Sequence, residues 1–444
     1  MLASAWLWPR LGHPGLVLGG VLATGLASFA MARRLFPRAG GRLWAGFVLA
    51  GMAAFAPALW PTPVALEVDP RRPAAVFLGL AVLVPLVTAV AAVRRSDGRA
   101  LAAALALVAT VAAAAGWLVA GGDPAYRTVD VAWRNGHVSI EGTLHLPKGE
   151  GPHPLLVLVG GSGPNTRQWG PGWAHVLAGR GVGVLAYDKR GSGASEGGSP
   201  RDPFAALGSD IVAGIDSLAA RPDIDTDRLA LLGFSEGAWV APAAAAMADR
   251  VDALVLVSGA GVSVGRNIEF QGSIRLADAG LADQEVDAVW ELRRAVNDYY
   301  RSGAGRDEVL QLVDRAMAQP WWDAAYQEVP LPTADEVAEY ASAEAEDWIA
   351  YWDFEALPIL ELLGVPVLSV DAGRDRQNPG PQSAAAMRDL IDSAGLEASR
   401  ALLYAEAGHT IGISPFGIEA LPPHYPAGYL ETVADWVAER LRAR

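Results

Sequence analysis

The sequence of 444 residues contains no cysteine and only two lysines, Lys148 and Lys189. Without cysteine there can be no disulfide scaffold, iron–sulfur cluster, cysteine-ligated zinc or thiol nucleophile. The scarcity of lysine nearly excludes chemistry based on a lysine amine. The sequence also has no His-Glu-x-x-His motif, no P-loop and no Gly-x-Gly-x-x-Gly motif, so we expect no metal site, no nucleotide and no other cofactor.

Charged residues are missing from four long windows near the N-terminus. Each window has 21 to 24 residues without Asp, Glu, Lys or Arg. Roughly 20 apolar residues are enough for a helix to cross the hydrocarbon core of a bilayer. We therefore predict a transmembrane domain over residues 1–122, with the lipid bilayer as a partner. Its four helices would cover residues 11–32, 43–66, 73–93 and 100–122.

Arginine predicts the orientation of these helices. The loops at 33–42 and 94–99 are rich in arginine, and such loops favour the cytoplasmic side. Four spans then place both the N-terminus and the C-terminal body outside, which predicts a multi-pass protein of the cell membrane. Cleavage of the first span as a signal peptide would put four arginines outside, so we do not favour it. Because His13 is the only ionisable side chain in the windows, the bundle fits an anchor or an oligomerisation surface better than a transporter.

Acidic residues dominate the rest of the chain. Residues 1–122 hold ten basic and three acidic groups (+7), whereas residues 123–444 hold 25 basic and 46 acidic groups (−21), which together give the net charge of −14. Binding to nucleic acid requires a positive surface. An acidic body therefore argues against a nucleic-acid partner.

Beyond about residue 123, short apolar runs alternate with helical stretches. This pattern predicts an α/β fold with a doubly wound, mostly parallel sheet, whose site lies at the carboxyl ends of the strands. A long acidic stretch, about 262–358, interrupts the alternation with seven basic and twenty acidic groups. We interpret it as a helical cap inserted into the second domain, residues 123–444.

The pattern Gly-x-Ser-x-Gly occurs three times, in GASEG (193–197), GFSEG (233–237) and GVSVG (261–265). A nucleophile elbow needs a buried strand that runs directly into it and a helix that leaves at once. Only GFSEG has both, with DRLALLGF before it and AWVAPAAAAMA after it. We therefore predict Ser235 as a catalytic nucleophile.

A serine nucleophile needs a histidine base that a carboxylate orients. Two histidines follow Ser235, and His409 in AGHT, after the last strand, fits better than His424 in the proline-bracketed LPPHYP. For the carboxylate, Asp375 lies in a loop and Asp371 at the end of a strand. We prefer Asp375, because a loop side chain can turn toward the imidazole, and Asp371 remains the alternative.

The oxyanion of an acyl-transfer intermediate needs two backbone N–H donors. One donor should be the amide of Glu236, directly after the nucleophile. The other should come from the glycine-rich turn GGSGP (160–164), from Ser162 or Gly161.

Five motifs in this order resemble the α/β-hydrolase superfamily: GGSGPNTR, YDKRGSGAS, GFSEG, GRDRQNP and AGHT. Within it, the sequence is most similar to the serine esterase and prolyl-oligopeptidase-like group, over about residues 125–444. Gly160 departs from this group, which often has histidine there. The resemblance implies acyl transfer to water through Ser235, His409 and Asp375, and it says nothing about residues 1–122.

The identity of the substrate is the most open question. Aromatic residues of the insertion, Trp321 and Trp322 among them, could line an apolar pocket, or they could hold the cap together. We expect an ester of a small or medium, apolar acyl group as the small-molecule substrate. A serine peptidase is the alternative, and a catalytically inactive binding or sensory module on a membrane bundle is a third hypothesis.

Overall fold

The computed structural model describes residues 126–248, 250–339, 342–413 and 424–442. The four predicted transmembrane helices lie outside these residues. None of the described helices combines the length and the apolar character needed to cross a membrane.

The chain divides into two compact units. The larger comprises Thr128–Arg167, Arg180–Ile411 and Val433–Arg444, and it contains the cap and the candidate active site described below. The described part of the smaller unit comprises residues 126–127, 168–179, 412–413 and 424–432.

An eight-stranded sheet has the order β1-β2-β4-β3-β5-β6-β7-β8. Strand β2 is antiparallel to β4, and the pairs from β4 through β8 are parallel, which confirms the predicted α/β-hydrolase type of sheet. Its strands are β1 (Tyr126–Asn135), β2 (Val138–Pro147), β3 (His153–Val159), β4 (Gly183–Tyr187), β5 (Ile224–Phe234), β6 (Val251–Val257), β7 (Val367–Ala372) and β8 (Arg400–Tyr404).

The central strands are almost wholly buried. All seven residues of β3 are buried, and Leu155, Leu231 and Leu254 from three neighbouring strands have no exposed surface. Strands of a parallel sheet are covered on both faces, so they are apolar throughout rather than alternating. This is why short continuous apolar runs predicted the sheet.

Twelve helices are described alongside the sheet. The longer ones after β3, β4, β5 and β7 are the helices that the alternating pattern predicted. They are α1 (Gly170–Ala178), α2 (Pro203–Leu218), α3 (Glu236–Met247), α4 (Val264–Asp278), α5 (Asp283–Ser302), α6 (Arg306–Met317), α7 (Trp322–Glu328), α8 (Ala334–Glu339), α9 (Ser342–Trp352), α10 (Leu357–Leu363), α11 (Gly380–Ala394) and α12 (Tyr429–Arg442).

The predicted insertion between β6 and β7 contains helices α4 to α9, which we call the cap. The cap has an apolar core of its own, built around Val289, Trp290, Val296, Val313 and Trp352. A second cluster fills the space around the sheet, and Val264 of α4 belongs to it. Since each cluster buries its own apolar side chains, the cap is a packed body and not an extended loop.

Candidate active site

Ser235 lies at the turn between β5 and α3. Its backbone angles are φ 54° and ψ −122°, outside the regions that a serine ordinarily occupies. Such strain persists only where surrounding contacts fix the backbone, as at a nucleophile elbow. The Ser235 N–H donates to the carbonyl of Val257 at 2.9 Å, and its own carbonyl accepts from Ala238 at 2.8 Å, so the turn is held on both sides.

Two glycines allow this turn to pack against the sheet. A methyl group at Gly233 would lie 2.1 Å from the carbonyl oxygen of Gly237, and one at Gly237 would lie 2.2 Å from that of Val159. Both distances are well inside van der Waals contact. The glycines of GFSEG are therefore required because backbone approaches backbone.

The three residues predicted for catalysis come together at this turn. The Nε2 atom of His409 lies 3.0 Å from Oγ of Ser235, and its Nδ1 lies 2.8 Å from Oδ2 of Asp375. The side chain of Asp375 is fully buried and that of His409 is 12% exposed. Both distances allow hydrogen bonds, so the three groups form one continuous chain from carboxylate to hydroxyl.

The carboxylate partner of the histidine is Asp375 and not Asp371. The other oxygen of Asp375, Oδ1, accepts hydrogen bonds from the backbone N–H groups of Gln377 (2.7 Å) and Asn378 (3.0 Å). Asp371 instead accepts from Ser369 Oγ at 2.8 Å. Burial raises the pKa of Asp371 to about 7, against a weaker opposing effect of its hydrogen bonds. Asp371 is thus a buried group of the strand end.

The loop that carries His409 is attached to the end of β6. Ser258, which has a φ of 55°, donates a hydrogen bond from Oγ to the carbonyl oxygen of His409 at 2.7 Å. The imidazole also lies against the ring of Phe234, with 5.2 Å between ring centroids. These contacts hold the ring from two sides and leave Nε2 directed at Ser235.

The predicted oxyanion loop lies directly beside the nucleophile. A methyl group at Gly161 would be 3.1 Å from Cβ of Ser235, and Ser162 lines the same cleft as Ser235 and Glu236. Glu236 is the first residue of α3, where helical N–H groups have no intrahelical partner. The structure therefore brings Gly161, Ser162 and Glu236 together around the hydroxyl.

Two residues that sequence reasoning missed hold this loop. The side-chain amide of Asn165 donates to the carbonyls of Gly161 (2.9 Å) and Ser162 (3.3 Å). Lys189 donates from Nζ to the carbonyl of Gly161 at 3.1 Å, and it forms an ion pair with the carboxylate of Glu236. The sequence features that could have indicated a role for Lys189 are that it is one of two lysines and that it lies in the YDKRGSGAS motif.

A cleft lies beside Ser235 and Glu236. Helix α4 contributes Val264, Asn267, Ile268 and Gln271 to its lining. These positions follow the spacing i, i+3, i+4 and i+7, which places them on one face of the helix. The cap thus closes over the nucleophile with this helix.

The tryptophans predicted for the substrate pocket lie elsewhere. Trp322 is buried in the core of the cap, and Trp321 packs against that core. Neither is among the residues that line the cleft. Their rings contribute to the packing of the cap, which is the second of the two roles considered for them from the sequence.

The two other Gly-x-Ser-x-Gly segments have structural roles. Ser195 donates from Oγ to the carbonyl of Asp188 at 2.6 Å within a turn. Ser263 caps α4, since its Oγ accepts from the N–H of Arg266 at 3.2 Å. His424 lies in the smaller unit, where it pairs with Ile413 through two backbone hydrogen bonds.

A comparison with protein families bears on this arrangement. Residues 156–419, more than half of the chain, match the model of the Alpha/beta hydrolase family. The chain belongs to this family. Membership supports a hydrolase, and it agrees with the strand order and with the serine elbow.

Curated relatives of this hydrolase include two proteins whose names describe them as uncharacterised. An Escherichia coli protein of 31.7 kDa, from the traX-finO intergenic region, is 26% identical over 60% of this chain and 85% of its own length. A Pseudomonas aeruginosa protein is 31% identical over 29% of this chain and 36% of its own length.

Solved structures similar to this hydrolase include an esterase of Pyrococcus furiosus, with a TM-score of 0.41 and 14% identity over 71% of this chain and 92% of its own. They also include an acylaminoacyl peptidase of Pyrococcus horikoshii, with a TM-score of 0.47 and 14% identity over 74% of this chain and 43% of its own.

Proposed function

We propose that this hydrolase is a serine esterase that works through an acyl-enzyme. The observation that carries the proposal is the hydrogen-bonded chain from Asp375 through His409 to Ser235, with 2.8 and 3.0 Å between its atoms, at a strained strand-to-helix turn. A neutral serine hydroxyl is a weak nucleophile, and a base within hydrogen-bond reach makes it reactive.

In the proposed mechanism, Oγ of Ser235 attacks the ester carbonyl while Nε2 of His409 takes the hydroxyl proton. Asp375 keeps the ring oriented and stabilises the imidazolium that forms. His409 then gives this proton to the leaving oxygen of the ester, and the alcohol departs. Water, activated by the same histidine, then cleaves the acyl-enzyme to the carboxylic acid and restores Ser235.

The negative oxygen of each tetrahedral intermediate would be stabilised by backbone N–H groups. The candidates are the amide of Glu236 at the start of α3 and an amide of the loop at Gly161 and Ser162. Such donors are each worth on the order of 10²–10³ in kcat, because they are oriented before charge develops.

A tagged fluorophosphonate tests this proposal most directly, because it reacts with an activated serine. The full chain in membranes should be labelled, and Ser235→Ala should abolish labelling, whereas Ser195→Ala should retain it. Hydrolysis of aryl and alkyl esters should follow the same pattern. Folded wild-type protein without labelling would contradict the mechanism and favour an inactive binding module, and cleavage of peptides in preference to esters would favour a peptidase.

We also infer from the four uncharged windows that residues 1–122 anchor the hydrolase in a membrane, with the catalytic body outside the cytoplasm. The absence of native cysteine makes this testable with single-cysteine variants. An impermeant maleimide should label Glu150→Cys in intact cells but reach Ser96→Cys only after lysis. The reverse pattern would invert the orientation, and a chain recovered without membranes would exclude the anchor.

A further inference from the structure

The cap helix α4 has two faces with different neighbours. Its glycines face the interior of the cap: a methyl group at Gly265 would lie 2.3 Å from Nε1 of Trp352, and one at Gly272 would lie 2.5 Å from the ring of Trp290. These close approaches fix the rotation of the helix. At about 100° per residue, the cleft positions are centred roughly a quarter-turn around the helix from these glycines, so the same packing also sets their direction.

Two of the four cleft positions on α4 are amides. The Oδ1 atom of Asn267 is buried and has no hydrogen-bond partner in the part of the chain that the structure describes. The side chain of Gln271 makes no hydrogen bond to any other described residue, and neither does the side-chain amide of Gln377 on the opposite loop. A buried acceptor without a partner is unfavourable unless a ligand or water supplies the donor.

The cleft is also electrically neutral around these amides. Its one carboxylate, Glu236, is ion-paired with Lys189, and both side chains are 15% exposed. The phenol of Tyr351 stays protonated, because burial raises its pKa to about 12. Neither an anion nor a cation would find an unpaired opposite charge among these residues.

An aromatic surface completes the cleft. The rings of Phe204 and Tyr351 stack with 5.5 Å between their centroids, and both line the cleft. In sites for small molecules, a few polar groups among apolar ones set the orientation of the ligand.

We propose that the substrate is an uncharged ester which carries, beside the scissile bond, a neutral group with hydrogen-bond donors and acceptors, such as an amide or a hydroxyl, bound by Asn267 and Gln271 of α4. This inference rests on the proposed esterase function and narrows it. It replaces the plain alkyl acyl chain expected from composition with a polar group of similar size.

Two pairs of esters of matched shape test the proposal. The acyl pair is 4-nitrophenyl N-acetylglycinate and 4-nitrophenyl 4-methylpentanoate. The alcohol pair is 2-acetamidoethyl acetate and 4-methylpentyl acetate. Each kcat/KM is divided by the rate constant for hydroxide-catalysed hydrolysis of the same ester, so that intrinsic reactivity cancels. We expect the amide member of one pair to be preferred by about tenfold, the value of roughly one well-placed hydrogen bond.

Variants of the cleft face assign the preference to α4. Asn267→Leu and Gln271→Met each should reduce the preference by about threefold, and together they should abolish it. Ile268→Val, an apolar change on the same face, should alter both members of a pair alike and keep their ratio. Fluorophosphonate labelling of Ser235 in each variant shows that the catalytic residues are still assembled.

The outcomes separate this inference from the function on which it rests. Equal or greater activity on the alkyl members of both pairs, with normal labelling of Ser235, would overturn the polar-substrate proposal and leave the esterase intact. A preference that Asn267→Leu and Gln271→Met both preserve would overturn the role of α4. Absence of labelling and of all hydrolysis in the wild type would overturn both proposals.

Discussion

The ammonium group of Lys189 donates a hydrogen bond to the carbonyl oxygen of Gly161 at 3.1 Å. The same group is ion-paired with the carboxylate of Glu236. Gly161 and Glu236 belong to the two segments from which the oxyanion donors are expected. One side chain thus connects the loop after β3 with the start of α3.

We expect Lys189→Met to lower kcat by about tenfold to hundredfold while KM changes little, since loosened N–H donors act mainly in the transition state. Lys189→Arg should recover part of the loss, because it keeps the charge. The control is Lys148→Met, which removes the other lysine at an exposed position. An equal fall in kcat for Lys148→Met, or none for Lys189→Met, would contradict the positioning role.

Replacing aspartate with asparagine should affect kcat differently at two positions near the end of β7. Asp375→Asn should lower kcat by on the order of 10³–10⁴, because the amide no longer stabilises the imidazolium or fixes the ring. Asp371→Asn should retain activity, since this group contacts Ser369 and not the histidine. The rate of fluorophosphonate labelling and the kcat on one ester measure the effect of each variant. Loss of activity in Asp371→Asn alone would reverse the assignment.

Acid should destabilise the hydrolase in part through His145 of β2. This side chain is 3% exposed, and burial lowers its pKa from 6.5 to about 4, partly offset by the charge of Asp130. Between these pH values the unfolded chain binds more protons than the folded chain, so the free energy of unfolding falls as pH drops below 6.5. The loss is complete near pH 4 and amounts to about 3 kcal/mol.

Thermal unfolding of the full chain in detergent at several pH values checks this expectation. His145→Leu should show a shallower decline between pH 6.5 and pH 4.5 than the wild type. Burial also lowers the pKa of His175 and His424, so part of the decline should remain. Parallel curves for wild type and variant would exclude His145 as a contributor.

The elbow glycine Gly237 should not tolerate a methyl group. Its Cβ would lie 2.2 Å from the carbonyl oxygen of Val159, so Gly237→Ala must displace the backbone of the elbow or of β3. Overpacking of this kind costs roughly 1–3 kcal/mol. We expect a lower unfolding midpoint and slower labelling of Ser235. Gly198→Ala, where no atom lies within 4 Å of the added methyl group, is the control and should change neither.

Local sequence was enough to predict the sheet and to select candidate catalytic residues that the fold brings together. A buried parallel strand needs a continuous apolar run, and an elbow needs its glycines and helix directly beside Ser235. His409 could be predicted from its place after the last strand. The sequence favoured Asp375 over Asp371 because Asp375 lies in a loop, and the path of that loop does bring Asp375 to His409.

The lining of the cleft could not be predicted from the sequence. Tryptophans suit an apolar pocket and a helical core equally well. The sequence therefore could not show whether Trp321 and Trp322 line the cleft or pack within the cap. The rotation of α4 depends on how Gly265 and Gly272 meet rings distant in sequence. The role of Lys189 could not be predicted either, because its partners Gly161 and Glu236 lie on other segments of the chain.

The apolar core of the cap, described above, has a consequence for how this enzyme could be altered. The proposed catalytic residues lie on the sheet and its loops, whereas α4, which lines the cleft, packs its glycines against Trp290 and Trp352 of the cap. Repacking those two tryptophans should therefore change which molecules are accepted without changing how they are cleaved. We therefore expect selectivity to be adjustable with little change in reactivity.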